Sequence, residues 1–401
     1  MRYSLRVVFV ALGVLSFSLL AQVQVETVTP NAFNGSGGVV VNAAGEVFVG
    51  DFGQTLGGNP YGTTVKQVDL TDGSVSVFAT GLNGASGNAF DSQGNLYQSN
   101  IGGSFISKID PAGNVTTFTS TGIAGPVGIA VGANDTVYVA NCGNSTIRKI
   151  APDGSSMAFA SGGLFNCPNG LTIDENGILY TANFSNGNVI KIEPDGTASI
   201  LATIPGNNNG HLTYANGRLY VVGRCTNRIY EVSLSGDVTW LAGSGQRGNA
   251  DGPAASASFS IPNGIAASPD GSALYINDAV PTSGGCFNGL LNQVVLRKIT
   301  LTTTGVEPIA GSVATDFQLD QNYPNPFNPS TSIRFELPHA TDVRLTVFDV
   351  SGREVATLVD EPKNAGVYLA TFEGHQLPSG VYFYRLQTSE RTLVRKMTLN
   401  K

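Results

Sequence analysis

The sequence predicts an all-β protein in which a six-bladed β-propeller is followed by a small Ig-like β-sandwich. Three observations support this prediction. Six segments share one pattern, each repeat carries the signals of four strands, and the pattern stops near Thr315, where other short strand-like segments follow. A strand-rich repeat of about 40 residues is typical of propellers.

The repeats begin at six glycines that lie 49, 41, 42, 40 and 54 residues apart. These glycines are Gly38, Gly87, Gly128, Gly170, Gly210 and Gly264. The repeat at Gly170 reads "GLTI", a turn "DENG", "ILYTAN", a polar loop, "VIKIEP" with the turn "PDGT", and "ASILAT". Because Gly and Asn tolerate the positive φ of tight hairpins, each repeat predicts four antiparallel strands.

The two ends of the repeat region predict how the ring closes. Residues Val294–Gly311 complete the last repeat, and Val23–Pro30 read as a strand without a blade of its own. We expect the N-terminal strand to pair with the last blade.

The N-terminus predicts export. Residues 1–21 place Arg2 and Arg6 before an apolar run that ends at Ala21, which is the pattern of a secretory signal peptide. No later apolar run approaches the roughly 18 residues that a spanning helix needs, so no transmembrane segment is expected.

The composition favours a folded, turn-rich protein. Apolar residues make up 41% of the chain, charged residues 13%, and there are 50 glycines, whereas disorder requires high charge and low hydrophobicity. Residues 22–315 contain 19 acidic and 11 basic residues, a net charge of −8. This charge argues against nucleic acid as a partner.

The C-terminal segment, residues 316–401, reads as a series of short strands such as "VRLTVFDVSG" and "GVYLATFEG". Its motifs "NYPNPFNPSTSIRFELP", "LPSGVYFYRL" and the terminal "RKMTLNK" resemble the type A C-terminal sorting domain of type IX secretion substrates. The resemblance implies the type IX secretion machinery as a partner, and a secreted or outer cell-surface location.

Residues 22–315 resemble the NHL-repeat and SMP-30/gluconolactonase-like propellers. The likeness is strongest in "WLAGSGQRGNADGPAASASFSIPNGIAASPDGSALYIND", and "IRKI" and "LRKI" fit the third strand of such repeats. The resemblance implies the fold rather than the function, because propellers support unrelated activities.

Two sets of polar residues are expected around one mouth of the propeller channel. The first set ends the second strands, at Asp51, Asn100, Asn141, Asn183, Gly223 and Asp278. The second set precedes the repeat glycines, at Asn169, Asn209 and Asn263. Such oxygens and amides suit a hard cation or a sugar, but Asn and Asp at strand ends also bond their own backbone in turns.

Asp51 and Asp278 belong to the first and last blades, which become neighbours when the ring closes. With Asn169 they are the candidate ligands for Ca²⁺ or another divalent cation. Lactonases of the resembled group bind one metal through Glu, Asn and Asp. Asn169 in "PNGL" fits that pattern, but the first blade offers "NGSGG" where those enzymes have Glu.

His211, in "NNNGHLTY", is a candidate general base next to the channel. It lacks a recognisable catalytic partner, so a structural role is the alternative. Arg224 stands where other blades offer Asn or Asp, and it is a candidate for holding an acidic ligand group or else a surface residue.

The chain has four cysteines, as expected of an exported protein that forms disulfides. Cys142 follows a second strand, and Cys167 precedes the inner strand of the next blade. Cys225 and Cys286 both follow second strands, in adjacent blades. Of three possible pairings, we predict Cys142–Cys167 and Cys225–Cys286.

The sequence therefore favours a non-catalytic binding module for an extracellular glycan, peptide or protein, with Asn141, Asn169, Asn183, Asn209, Asn263 and Arg224 as candidate binding residues. The alternative is a divalent-metal-dependent hydrolase of the gluconolactonase kind. A lyase of the streptogramin-inactivating kind is a third possibility, since its repeats are similar.

Overall fold

The structure is a computed structural model that describes residues 23–56, 61–280, 285–286, 289–301, 306–308, 314–374 and 377–400. The signal peptide predicted for residues 1–21 lies outside them. The chain divides into two compact units, Met1–Leu301 and Thr302–Lys401, whereas the sequence interpretation placed the boundary after Thr315.

In the described residues, the first unit is a six-bladed propeller that begins with β1 (Gln24–Thr27). Blades one to five are antiparallel four-stranded sheets with their strands in chain order. Their strands are β2 (Val39–Val41), β3 (Val47–Gly50), β4 (Thr64–Val68) and β5 (Val75–Thr80); β6 (Ala85–Phe90), β7 (Leu96–Asn100), β8 (Phe105–Ile109) and β9 (Val115–Thr119); β10 (Pro126–Val131), β11 (Val137–Asn141), β12 (Thr146–Ile150) and β13 (Ser156–Ser161); β14 (Pro168–Ile173), β15 (Leu179–Asn183), β16 (Asn188–Ile192) and β17 (Ala198–Thr203); β18 (Asn209–Ala215), β19 (Arg218–Gly223), β20 (Arg228–Ser233) and β21 (Val238–Ala242). A short 3₁₀ turn lies at Ala133–Asp135.

Blade six contains both ends of the propeller. Its strands β22 (Gly252–Pro253), β23 (Ile265–Ala267), β24 (Ala273–Ala279) and β25 (Val294–Thr300) combine with β1 in the order β22-β1-β25-β24-β23. Val25 of β1 lies opposite Ile299 of β25. The N-terminal strand therefore closes the ring, as the sequence predicts.

The apolar core lies between neighbouring blades rather than inside any one of them. Each interface between blades contains a cluster of buried apolar side chains. The cluster that joins the ends of the ring packs Val39 and Val47 of blade one against Tyr275 and Leu296 of blade six. Because a single sheet cannot cover both of its faces, each blade depends on its two neighbours.

The repeat glycines are required by the approach of the inner strands. A Cβ atom on Gly128 would lie 2.6 Å from the carbonyl oxygen of Asn169 in the next blade, and one on Gly264 would lie 2.6 Å from that of Gly37. The other four repeat glycines meet the backbone of the following blade in the same way. Only glycine fits here, because the obstacle is backbone, which has little freedom to move.

The second unit is a β-sandwich of two four-stranded sheets, ordered β26-β31-β28-β27 and β30-β29-β32-β33. The strands are β26 (Val306–Pro308), β27 (Gln318–Leu319), β28 (Ser330–Leu337), β29 (Thr341–Asp349), β30 (Glu354–Lys363), β31 (Gly366–Glu373), β32 (Gly380–Thr388) and β33 (Thr392–Leu399). Buried side chains from both sheets, including Phe335, Tyr384 and Met397, form its core.

One sequence-based assignment is wrong in this region. Residues Val294–Gly311 were taken to complete the last blade, but β26 pairs with β31 of the second unit. The fourth position in blade six is filled by β1, so no place remains for β26 next to β25.

The crowding at the repeat glycines predicts a large effect of a single methyl group. Gly170→Ala places Cβ 2.6 Å from the backbone nitrogen of Leu212 and 2.7 Å from Cα of His211. We expect the free energy of unfolding to fall by about 2 kcal/mol or more. Chemical denaturation measures it. Gly163→Ala is the matched control, since Gly163 has open space and no positive φ, and it should be neutral or slightly stabilising. Equal effects of the two substitutions would contradict this account.

Ring closure by β1 gives a second prediction. Val25 is 2% exposed and packs into the cluster between blades five and six. Val25→Ala should lower the free energy of unfolding by about 1.5 kcal/mol, because the substitution removes two methyl groups that are buried in an apolar cluster. Val77→Ala removes the same groups from a side chain that is 53% exposed, and it should cost less than about 0.5 kcal/mol. A Val25→Ala protein as stable as the Val77→Ala control would show that β1 is dispensable.

Candidate functional site

The polar residues at the ends of the second strands bond to the loop that precedes the inner strand of the same blade. In blades two, three, four and six, the side-chain oxygen of this residue accepts a hydrogen bond from a backbone N–H 17 or 18 residues earlier. The bonds are Asn83 N to Asn100 Oδ1 (2.8 Å), Ala124 N to Asn141 Oδ1 (3.2 Å), Asn166 N to Asn183 Oδ1 (3.1 Å) and Ser260 N to Asp278 Oδ1 (2.6 Å). These bonds reach a loop 17 or 18 residues away, whereas the alternative left open by the sequence was a bond to the residue's own turn.

The amide groups of Asn141 and Asn183 are also engaged at nitrogen. Nδ2 of Asn141 donates to the carbonyl of Gly122 at 3.0 Å, and Nδ2 of Asn183 donates to the carbonyl of Leu164 at 2.8 Å. Both side chains therefore use their oxygen and their nitrogen to fix one loop. Ligand binding by Asn141 and Asn183 stays a prediction, which these contacts do not favour.

Asp278 forms a buried ion pair with Arg297, and both side chains are inaccessible to solvent. Its Oδ2 lies 3.2 Å from Nη1 of Arg297 and accepts a second bond, of 2.5 Å, from Nδ2 of Asn249. Burial raises the pKa of Asp278 to about 7, against the opposing effect of Arg297. Arg297 also bonds the carbonyls of Ala250 and Ser258, so this network anchors the long loop that enters blade six.

Asp51 is 6% exposed, and its Oδ1 accepts a hydrogen bond of 2.7 Å from Nδ2 of Asn292. Burial raises the pKa of Asp51, while Asn292 and Lys66 lower it. Within the described part of the chain, no group of three His, Cys, Asp or Glu side chains is arranged to hold a metal ion. A Ca²⁺ site at Asp51, Asp278 and Asn169 stays a prediction.

The asparagines before the repeat glycines link one blade to the next. Nδ2 of Asn169 donates to the carbonyl of Asn209 at 2.8 Å, and Nδ2 of Asn263 donates to the carbonyl of Ser36 at 2.8 Å. Asn209 differs, because its side chain is 1% exposed and neither of its polar atoms has a partner among the described residues.

A cavity of about 160 Å³ lies at this mouth of the channel. Its wall includes the residues that directly follow Asp51, Asn100, Asn141, Asn183 and Gly223 in five successive blades, namely Phe52, Ile101, Cys142, Phe184 and Arg224. Leu56 and Leu291 complete the apolar wall, and Asn169 and Asn263 contribute amides. Successive residues of a strand point to opposite sides. In blades two, three and four, the residue that ends the second strand therefore holds the loop, and the next residue faces the cavity.

The strand register corrects the interpretation of Arg224. Asn209 lies opposite Gly223 in blade five, as Pro168 lies opposite Asn183 in blade four. Gly223 is therefore the counterpart of Asn183, and Arg224 is the counterpart of Phe184. Arg224 does not replace an Asn or Asp of other blades. It stands at a position that is apolar in blades one to four.

Arg224 is buried, with 2% of its surface exposed. Its Nη1 donates a long hydrogen bond of 3.4 Å to Oδ1 of Asn263, and its Cζ lies 6.0 Å from the ring centroid of Phe184. Nε and Nη2 have no hydrogen-bond partner among the described residues. Burial lowers the pKa of Arg224 to about 10, so the guanidinium remains charged at neutral pH.

His211 is 7% exposed and lines a second cavity, of about 200 Å³, between the inner strands. Its backbone N–H donates to the carbonyl of Asn263 at 2.8 Å, and its Nε2 has no partner among the described residues. Burial, and next the charge of Arg224, lower the pKa of His211 to about 4. The imidazole is therefore neutral at neutral pH. Its role as a general base stays a prediction.

Both disulfides form between the cysteines that the sequence pairs. Cys142 is bonded to Cys167, which links blades three and four at the edge of the cavity. Cys225 is bonded to Cys286, and the described residues contain no free cysteine. The first bond closes a segment of 25 residues and the second one of 61, so both restrict the unfolded chain.

Two family models match parts of the chain. Residues 321–400 match the secretion system C-terminal sorting domain, and residues 124–150 match the NHL repeat. The sorting domain indicates export through type IX secretion to the cell surface or the medium. The described residues contain no helix long and apolar enough to cross a membrane. No curated protein matches the chain in sequence.

Solved propeller structures resemble the first unit. A streptogramin B lyase structure has a TM-score of 0.50 at 16% identity, covering 70% of this chain and 98% of its own. A gluconolactonase from Xanthomonas campestris has a TM-score of 0.52 at 16% identity, with coverages of 70% and 91%. An auxiliary nutrient binding protein from Bacteroides ovatus has a TM-score of 0.53 at 16% identity, with coverages of 69% and 76%. At these identities the likeness shows the fold alone.

The burial of His211 predicts a pH dependence of stability. The unfolded chain binds a proton on this residue near pH 6.5, whereas the folded protein binds it only near pH 4. The stabilisation is therefore complete above pH 6.5 and is lost as the pH falls towards 4. Between these values the free energy of unfolding should drop by about 3 kcal/mol more in the wild type than in His211→Gln.

Chemical denaturation at several pH values, followed through the unfolding transition of the propeller, measures the free energy of unfolding of both proteins. Titration of Asp278 is common to both proteins and cancels in the comparison. Parallel stability curves from pH 7 to pH 4 would show that His211 is not held neutral.

Proposed function

We propose that this protein is an exported propeller that binds an extracellular ligand without catalysis, through the cavity at the channel mouth. The observation that carries the proposal is the composition of that cavity. Its walls are apolar, whereas Asn169, Arg224 and Asn263 place a few polar groups among them. Binding sites for small ligands commonly combine an apolar wall with a small number of placed polar groups.

The apolar wall of the cavity also indicates which class of ligand fits. Two aromatic rings, Phe52 and Phe184, and the side chains of Leu56, Ile101 and Leu291 face the cavity. This surface favours an apolar side chain of a peptide or protein, or a small apolar molecule, over a glycan. The polar groups then fix its orientation.

The hydrolase alternative depends on Asp51, Asp278 and Asn169 as metal ligands. Both carboxylate oxygens of Asp278 already accept hydrogen bonds from protein groups, and Oδ2 also pairs with Arg297. Nδ2 of Asn169 is bonded to the next blade. A metal at these residues would have to displace contacts that hold loops and blades together. The lyase alternative rests on the similarity of the repeats, with His211 as its one candidate catalytic residue.

Saturation-transfer NMR with benzyl alcohol tests the proposal. This neutral probe should bind the wild type, because its ring fits an apolar cavity of this size. Ile101→Trp should abolish the signal by filling the mouth. Val77→Trp adds the same group at a side chain that is 53% exposed, and it should bind the probe like the wild type.

Binding that survives Ile101→Trp, or no binding to the wild type, would overturn the assignment of the mouth. Turnover of a lactone that requires Ca²⁺ and disappears in Asp51→Asn would replace the binding function by the hydrolase.

A further inference from the structure

The feature that demands an explanation is a buried cation without a counter-charge among the described residues. Arg224 is 2% exposed, and burial is the sole cause of the shift in its pKa. A buried guanidinium is costly unless it is paired and fully hydrogen-bonded. Asn263 supplies one long bond, and Phe184 lies at the limit of a cation–π contact. Neither provides a negative charge.

The two unpartnered nitrogens define the group that would complete this site. Nε and Nη2 lie on one edge of the planar guanidinium, while Nη1 is the nitrogen bonded to Asn263. Two parallel N–H groups on one edge match the two oxygens of a carboxylate. The third nitrogen is used by the protein to hold the plane in position.

The remainder of the cavity limits the charge and size of the ligand. Of the described residues that line it, Arg224 is the one with a charge, and His211 behind it is neutral at neutral pH. A single positive charge among apolar walls suits a monoanion rather than a phosphate dianion. A cavity of about 160 Å³ is close to the volume that accommodates a benzene ring.

We infer that the mouth recognises a carboxylate carried on an apolar body of about the size of one aromatic or branched aliphatic side chain. Nε and Nη2 of Arg224 are enclosed by protein in this structure, so the guanidinium turns this edge towards the cavity to hold the carboxylate. The wall formed by Phe52, Ile101 and Phe184 holds the body. This inference rests on the proposed binding function and names its ligand class. Both a free organic acid and the C-terminal residue of a peptide have this chemistry.

The binding test compares pairs of ligands that differ only in charge. 3-Phenylpropionate should bind the full-length protein at least ten-fold more tightly than 3-phenylpropanamide, because a charge-assisted pair is lost in the amide. Arg224→Met should remove this preference, because it weakens binding of the carboxylate far more than binding of the amide. Arg218→Met, at an exposed ion pair with Glu231, should keep it. Isothermal titration calorimetry measures all of these affinities.

A second readout separates recognition from a structural role. A buried charge without a partner destabilises the ligand-free protein, so Arg224→Met should raise or preserve its melting temperature. A marked fall in melting temperature would show instead that Arg224 holds the fold.

The source of the carboxylate is distinguished by a second pair, N-acetylphenylalanine and its amide. A preference for N-acetylphenylalanine as large as that for 3-phenylpropionate supports a peptide C-terminus, and a preference confined to 3-phenylpropionate supports a free acid. Equal binding of acid and amide in both pairs would overturn the inference while leaving the proposed mouth intact. Displacement of 3-phenylpropionate by equimolar inorganic phosphate would overturn the assignment to an apolar carboxylate. If benzyl alcohol also fails to bind, the proposed function itself is wrong.

Discussion

The propeller depends on the close approach of its six inner strands around the channel. At each repeat glycine, the backbone of the following blade occupies the space that a side chain would need. This approach allows direct bonds between blades, such as those from Gly38 N to Ser86 O and from His211 N to Asn263 O. The apolar clusters between blades then form at larger radius, where there is room for side chains. The glycine that recurs in the sequence is thus explained by one steric constraint, which is the same in all six blades.

Ring closure adds a requirement that no single repeat can meet. The position next to β25 in blade six is filled from the other end of the propeller, so β1 lies between β25 and the short strand β22. Val39 and Val47 pack against Tyr275 and Leu296. The loop that enters blade six is longer than its counterparts, and it is organised by the buried pair of Arg297 and Asp278. The spacing of 54 residues before Gly264 therefore reflects this anchored loop, which also contributes the short strand β22 to the sheet of blade six.

The sequence was sufficient for features that depend on local chemistry or on the repeat itself, including the turns, the glycines, the closing strand and both disulfides. It was insufficient where one of two consecutive residues faces the loop and the other faces the cavity. Gly223 and Arg224 are such a pair, and the inner strand opposite them contains a register shift between Asn209 and Leu212. Blades two, three and four have shifts at the same place. A bulge has no distinctive sequence signal, so the register that distinguishes Gly223 from Arg224 could not be derived. Phe52, Ile101, Cys142 and Phe184 were missed although each directly follows a polar residue that the sequence had placed at the mouth.

This arrangement separates what the fold needs from what the ligand needs. In blades two, three, four and six, the polar residue at the end of the second strand is constrained, because its side chain holds the loop before its own inner strand. The next residue faces the cavity and makes no such bond, which leaves it free to be Phe52, Ile101, Cys142, Phe184 or Arg224. A buried, unpaired guanidinium is tolerated at such a position because the clusters between blades and the disulfides stabilise the scaffold independently of it. Propellers of one architecture can therefore bear unrelated functions, since the chemistry of the mouth changes one residue at a time without disturbing the ring.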